Sequence, residues 1–162
     1  MNGPIKHILV YLDGTEESLT AAQYAICLSK ATGALLSAMY IVNTRALNDL
    51  VKSHIFIESE QDEYQRDLQE DARKYLRLME KMAQEKSVAV SVYEESGAVQ
   101  GVIRDFIRNN DVDLLVSGKV SNIRSRRDEL NNDTERVIRN VSCSVLVVKD
   151  EERVWEMFDQ MA

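Results

Sequence analysis

The chain has 162 residues, 44% hydrophobic and 29% charged, with a formal net charge of −7. That length suits one domain with a real core, and the composition excludes a disordered chain. The acidic balance argues against a general nucleic-acid binder, although a local basic patch is compatible with it.

No apolar run approaches the ~20 residues of a bilayer span. The opening Met1-Asn-Gly-Pro-Ile-Lys-His7 lacks the apolar core of a secretory signal. A cytoplasmic protein with no membrane partner is therefore expected.

Apolar runs alternate with helical stretches. Ile5 to Leu12 is a short β-branched run closed by Asp13-Gly14-Thr15. Glu17 to Lys30 places Leu19, Ala22, Ala25, Ile26 and Ser29 at helical spacing, and Gly33 supplies a stop. Leu35 to Val42 reads as a second strand. Asn43 to Ser59 is a long connection holding Leu47, Leu50, Val51, Ile55, Phe56 and Ile57, the kind that forms lids or short extra helices.

Glu60 to Lys86 is a long helix. Tyr64, Leu68, Ala72, Tyr75, Met79 and Met82 are spaced by three or four residues, which keeps them on one stripe. Val88 to Tyr93 alternates as a third strand, and Ala98 to Asn109 is a helix with Val99, Val102, Ile103, Phe106 and Ile107 inward. Val112 to Val116 is a fourth strand, Asp133 to Asn140 a short helix and Ser144 to Val148 a fifth strand. Alternation of this kind predicts an α/β fold, a mostly parallel sheet with helices on both faces.

The domain is expected to end near residue 149, followed by a tail over 150–162. In that tail Val154, Trp155, Phe158 and Met161 line up on a short helical stripe. Such a stripe docks on its own domain or serves as an interface.

The chemistry-bearing positions are sparse. Cys27 falls on the apolar face of a predicted helix and Cys143 just before a strand, so both read as small core residues. His7 and His54 are far apart, which gives no support for a metal site. No nucleophile–base pair or carboxylate pair can be assigned roles, so no catalytic residue is predicted.

Ligands of open parallel sheets bind at the carboxyl ends of the strands, where strand order reverses. Asp13 closes the first strand, and a glycine, Gly118, lies just past the fourth. If these strands are neighbours, both border one crevice. The aspartate could then accept from a ribose or base amine, and the glycine could admit a ligand to the backbone. The start of the helix near Asn132 would direct unpaired N–H groups at an anion. The plainer reading is that Asp13 and Thr15 cap the turn and first helix, that Gly118 is a turn glycine, and that Asn131 and Asn132 are turn residues. Neither a Walker sequence nor a GxGxxG fingerprint occurs.

The opening Lys6-His-Ile-Leu-Val-Tyr-Leu-Asp-Gly-Thr-Glu-Glu-Ser18 resembles the first strand and turn of the universal stress protein family. Asp113-Leu-Leu-Val-Ser-Gly118 is similar to its fourth strand, and Glu135 to Val148 to its last helix and strand. The resemblance implies a five-stranded parallel sheet of order 3-2-1-4-5. It also implies a homodimer, paired in many members through the last strand, here Ser144, Val145, Leu146, Val147 and Val148.

Nucleotide-binding members carry glycine, two residues, glycine, nine residues, then glycine with serine or threonine. Laid on this chain, those positions are Gly118, Ser121, Asn131 and Asn132. Asp13 is retained at the nucleoside position, and Ile41 occupies the second-strand position that lines the base pocket. No cofactor is assigned; ATP with Mg²⁺ belongs to the alternative in which the chain is an ATP-binding member of the family. Side chains at Ser121 and Asn131 would crowd a phosphate near the backbone, although asparagine tolerates left-handed turns.

Within that interval Lys119, Arg124, Arg126 and Arg127 gather four positive charges. They are a solvated loop, or phosphate grips replacing lost amides, or a docking site for an acidic protein partner. The expectation is a non-catalytic, homodimeric regulator with weak or absent ATP binding.

Overall fold

The computed structural model describes residues 3–53, 58–119 and 133–162. His54, Ser121, Arg124, Arg126, Arg127, Asn131 and Asn132 lie outside the described residues. Five strands form one sheet: β1 (His7–Leu12), β2 (Leu35–Val42), β3 (Ser91–Ser96), β4 (Leu114–Gly118) and β5 (Ser144–Val148). All pairs are parallel and the order is β3-β2-β1-β4-β5. The described helices are α1 (Glu16–Thr32), α2 (Thr44–Lys52), α3 (Glu58–Glu85), α4 (Val99–Asn109), α5 (Asp133–Asn140) and α6 (Glu151–Gln160).

Successive strand residues point to opposite faces, and β1 shows the consequence. Ile8, Val10 and Leu12 enter one core with residues of α1, α3 and α6, while Leu9 and Tyr11 enter a second with residues of α4 and α5. Both faces of the central strands are buried, which explains why β1, β2 and β4 read as nearly unbroken apolar runs. Cys27 belongs to the first core and Cys143 packs against the second, so the two free thiols lie on opposite faces.

Helix α1 starts and stops where its sequence signals it. The Thr15 side chain accepts from the Ser18 N–H, and Gly33 at φ 75° closes the helix by donating its N–H to the Ser29 carbonyl. The connection after β2 contains a short extra helix, α2, which lies against α3. There Gln61 Nε2 donates to Asn48 Oδ1 at 2.8 Å. The four residues 54–57 of the same connection lie outside the described residues.

Three strand boundaries differ from the sequence reading: β1 begins at His7 and not at Ile5, and β3 and β4 are displaced as well. Val88, Val90 and Val92 do share one face and pack on the first core, but the β3 ladder begins only at Ser91, opposite Ser37 of β2. The residues before it leave α3 through Ser87, at φ 57°, with the Val88 N–H bonded to the Ala83 carbonyl. Alternation records which way side chains face, not where hydrogen bonding starts. β4 likewise begins at Leu114 and runs on to Gly118, paired there with Val148. Before it, the Asp113 carboxylate accepts from the Lys6 N–H at 2.9 Å.

The tail docks on its own domain. Val154 and Phe158 are buried in the first core beside α1, and the Lys86 ammonium sits 4.7 Å from the Phe158 ring centroid. Trp155 remains 42% exposed, yet its indole Nε1 donates to Thr20 Oγ1 at 3.1 Å. With α1 and α3, α6 therefore completes a layer of three helices on one face of the sheet. No described helix is long and apolar enough to cross a membrane.

Candidate functional site

β1 and β4 are neighbours, with Val10 opposite Val116. Their carboxyl ends, and with them Asp13 and Gly118, therefore border one crevice at the switch between strand orders. Ile41 stands near the carboxyl end of β2, where Leu12 pairs with Tyr40 and Ile41 with Glu95. Its side chain is buried in the second core with Tyr11, Met39 and Val99.

Asp13 is exposed, and its carboxylate organises the turn that follows. Oδ1 accepts from the Thr15 N–H at 3.1 Å and from the Thr15 hydroxyl at 2.5 Å. Thr15 Oγ1 in turn accepts from the Ser18 N–H at 3.1 Å. The aspartate thus steadies the residue that caps α1. Both of its bonds to Thr15 fall on Oδ1.

Gly14 permits this turn through φ 82°, and its open side faces Tyr40, whose Oη would lie 3.0 Å from an added Cβ. Tyr40 stacks on Tyr75, with ring centroids 6.2 Å apart and planes 15° from parallel. Burial pushes the Tyr40 phenol well above its usual range, and the charges of Asp71 and Asp13 add to that shift.

Gly118 is explained by packing. A Cβ there would lie 2.5 Å from the Glu17 carbonyl oxygen and 2.6 Å from its carbon. The first turn of α1 passes so close to the end of β4 that only glycine fits. This glycine is needed for helix–sheet contact whether or not a ligand is present.

Lys119 follows, and its Nζ lies 3.8 Å from Glu151 Oε1 in the first turn of α6. The sequence offers Lys119 as a solvated-loop residue, a candidate phosphate contact or part of a docking site, and gives Glu151 no role. Its signal was the run Asp150-Glu-Glu152 directly after β5, whose end is in register with Gly118. Acidic residues also occupy the first turn of α1, at Glu16 and Glu17. They favour the helix through its dipole and oppose an incoming anion. Ser121, Arg124, Arg126, Arg127, Asn131 and Asn132 lie outside the described residues, and α5 begins at Asp133.

At the opposite, amino end of the strands His7, the first residue of the central strand β1, forms a separate polar knot. Its Nδ1 bonds the Asn110 carbonyl oxygen at 2.9 Å and its Nε2 bonds Ser37 Oγ at 2.8 Å. That knot ties β1, β2 and the end of α4 together, away from the crevice. Among the described residues no group of three or more His, Cys, Asp or Glu side chains is arranged to hold a metal ion.

Residues 4–149 match the family model described as Universal stress protein family. A universal stress protein of Methanocaldococcus jannaschii is 31% identical over 144 residues, covering 89% of this chain and 82% of the relative. One from Synechocystis is 28% identical over 148 residues, covering 88% of this chain and 96% of the relative.

Among solved structures, the universal stress protein UspA from Lactobacillus plantarum superposes with a TM-score of 0.70 at 21% identity, covering 91% of this chain and all of that one (100%). A universal stress protein in complex with cAMP superposes with a TM-score of 0.64 at 18% identity, covering 91% of this chain and 99% of its own. Sequence and fold agree over the same span: the chain belongs to the universal stress protein family.

Proposed function

We propose that this protein is a non-catalytic, homodimeric regulator of the universal stress type, working in the cytoplasm and holding ATP weakly at most. The observation that carries the reading is the contact between Gly118 and Glu17. The one glycine left of the family's phosphate motif is committed to backbone packing against α1. Its presence therefore does not argue for a phosphate beside it.

Two further features support weak binding. Asp13, the nucleoside-side aspartate, is already bonded to Thr15, and Lys119 is paired with Glu151. An ATP-holding alternative stays specific: Asp13 on the nucleoside, Ile41 by the base, and Lys119 with Arg124, Arg126 and Arg127 on the phosphates, with Mg²⁺. It is favoured by a family relative solved with a nucleotide, cAMP. A protein-interaction role for the tail is less favoured, because Val154 and Phe158 are buried within the domain.

Purified protein analysed by native mass spectrometry tests the reading. A dimer without bound nucleotide is expected, and a stoichiometric adenine nucleotide on each subunit would contradict it.

For the dimer, β5 is the outermost strand, and Val145, Leu146 and Val147 are only half-buried. An apolar edge of this kind needs a partner strand or cover.

A further inference from the structure

We infer that Glu151 acts as an internal competitor for Lys119, so that the first turn of α6 weakens anion binding at Lys119. The inference shares with the proposed reading the pairing of Lys119 with Glu151, and takes from the ATP-holding alternative only that Lys119 is where a phosphate would bind.

The register brings the two residues together. Gly118 pairs with Val148, so the residues after β4 and those after β5 leave the sheet side by side. The chain then turns into α6, whose first turn carries Glu151 and Glu152. Glu151 Oε1 comes to 3.8 Å from Lys119 Nζ, with the carboxylate side chain 25% exposed and the lysine 47% exposed. A phosphate oxygen approaching Lys119 would meet a carboxylate already there.

This arm is anchored. Trp155, one turn after Glu151, bonds Thr20 of α1, while Val154 and Phe158 are buried in the core. Residues 4–149 carry the family match, and α6 lies beyond them. The competitor thus lies outside the stretch that the family model matches.

The test is titration calorimetry at low ionic strength with sodium tripolyphosphate, and separately with Mg·ATP. The proteins are the parent and the variants E151Q, E152Q, K119Q and the double variant K119Q/E151Q. An exposed ion pair of this kind is worth a factor of about two to five in affinity. E151Q should bind tripolyphosphate tighter by that factor. E152Q, which removes the same charge next door, should shift less than half as much. The gain should vanish in K119Q/E151Q relative to K119Q.

Equal affinities of parent and E151Q, or equal gains from E151Q and E152Q, would overturn the inference, as would no tripolyphosphate binding by any variant. Tripolyphosphate binding that tightens in E151Q, combined with micromolar ATP binding by the parent, would leave the contact standing and contradict the weak-ATP reading instead.

Discussion

Gly118 and Glu17 touch through their backbones so closely that a single methyl group at Gly118 would sit 2.5 Å from the Glu17 carbonyl oxygen. Neither atom is the end of a flexible side chain, so α1 or β4 would have to move. Overpacking at such a place costs ~1–3 kcal/mol. Gly118→Ala should therefore lower the free energy of unfolding by that amount in urea titrations, with or without nucleotide. An unchanged midpoint would show that α1 can shift freely and that packing does not require the glycine.

Helix α6 should behave as part of the domain. Phe158 is 5% exposed and belongs to the core shared with α1. Phe158→Ala should cost ~3–5 kcal/mol. Trp155 is the only tryptophan in the chain, so its fluorescence reports α6 directly. Its unfolding transition should coincide with loss of helical circular dichroism. A separate, earlier transition would mean that α6 is an appendage.

The turn after β1 should prove structural first. Thr15 caps α1 and is itself held by Asp13. Thr15→Ala should remove ~0.5–2 kcal/mol of stability, measurable by thermal or urea unfolding. Asp13→Ala should lose a smaller amount, because it steadies the cap without making it.

Alkaline pH should destabilise the fold through Tyr40. Burial, then Asp71 and Asp13, raise its folded pKa above the ordinary value, which is about 10. Above that pH the unfolded state releases the phenolic proton while the folded state keeps it. Fewer protons on the unfolded state make the slope of stability against pH negative. The Tyr40 contribution is complete below pH ~10 and is lost as pH rises towards the folded value. Urea midpoints between pH 8 and 11 should fall, and Tyr40→Phe should flatten the upper part of that fall. An identical slope in the variant would assign it to other groups.

The sheet edge offers a test of assembly. Val147→Lys places a charge on the half-buried edge strand β5. Sedimentation should show monomer or aggregate in place of a dimer. A soluble dimer of native size would count against pairing through β5.

Much of this architecture was readable because both faces of β1, β2 and β4 are buried, which makes their apolar runs continuous. The edge strand β3 was displaced in the reading because Val88 and Val90 face the core before any strand pairs with them. At the crevice, Asp13 and Gly118 were legible as residues at strand ends. Their structural work was not: the Glu17 backbone contact and the Lys119–Glu151 pair depend on how segments distant in sequence meet. A residue's type and spacing carry no record of such meetings.

The most direct test of the central claim is calorimetric titration of the purified protein with Mg·ATP at physiological ionic strength. Weak binding predicts a dissociation constant of about 0.1 mM or larger, or no saturable heat, corresponding to less than ~5.5 kcal/mol of binding free energy. A micromolar dissociation constant that is lost in Asp13→Ala would contradict it and establish the crevice as a working ATP site.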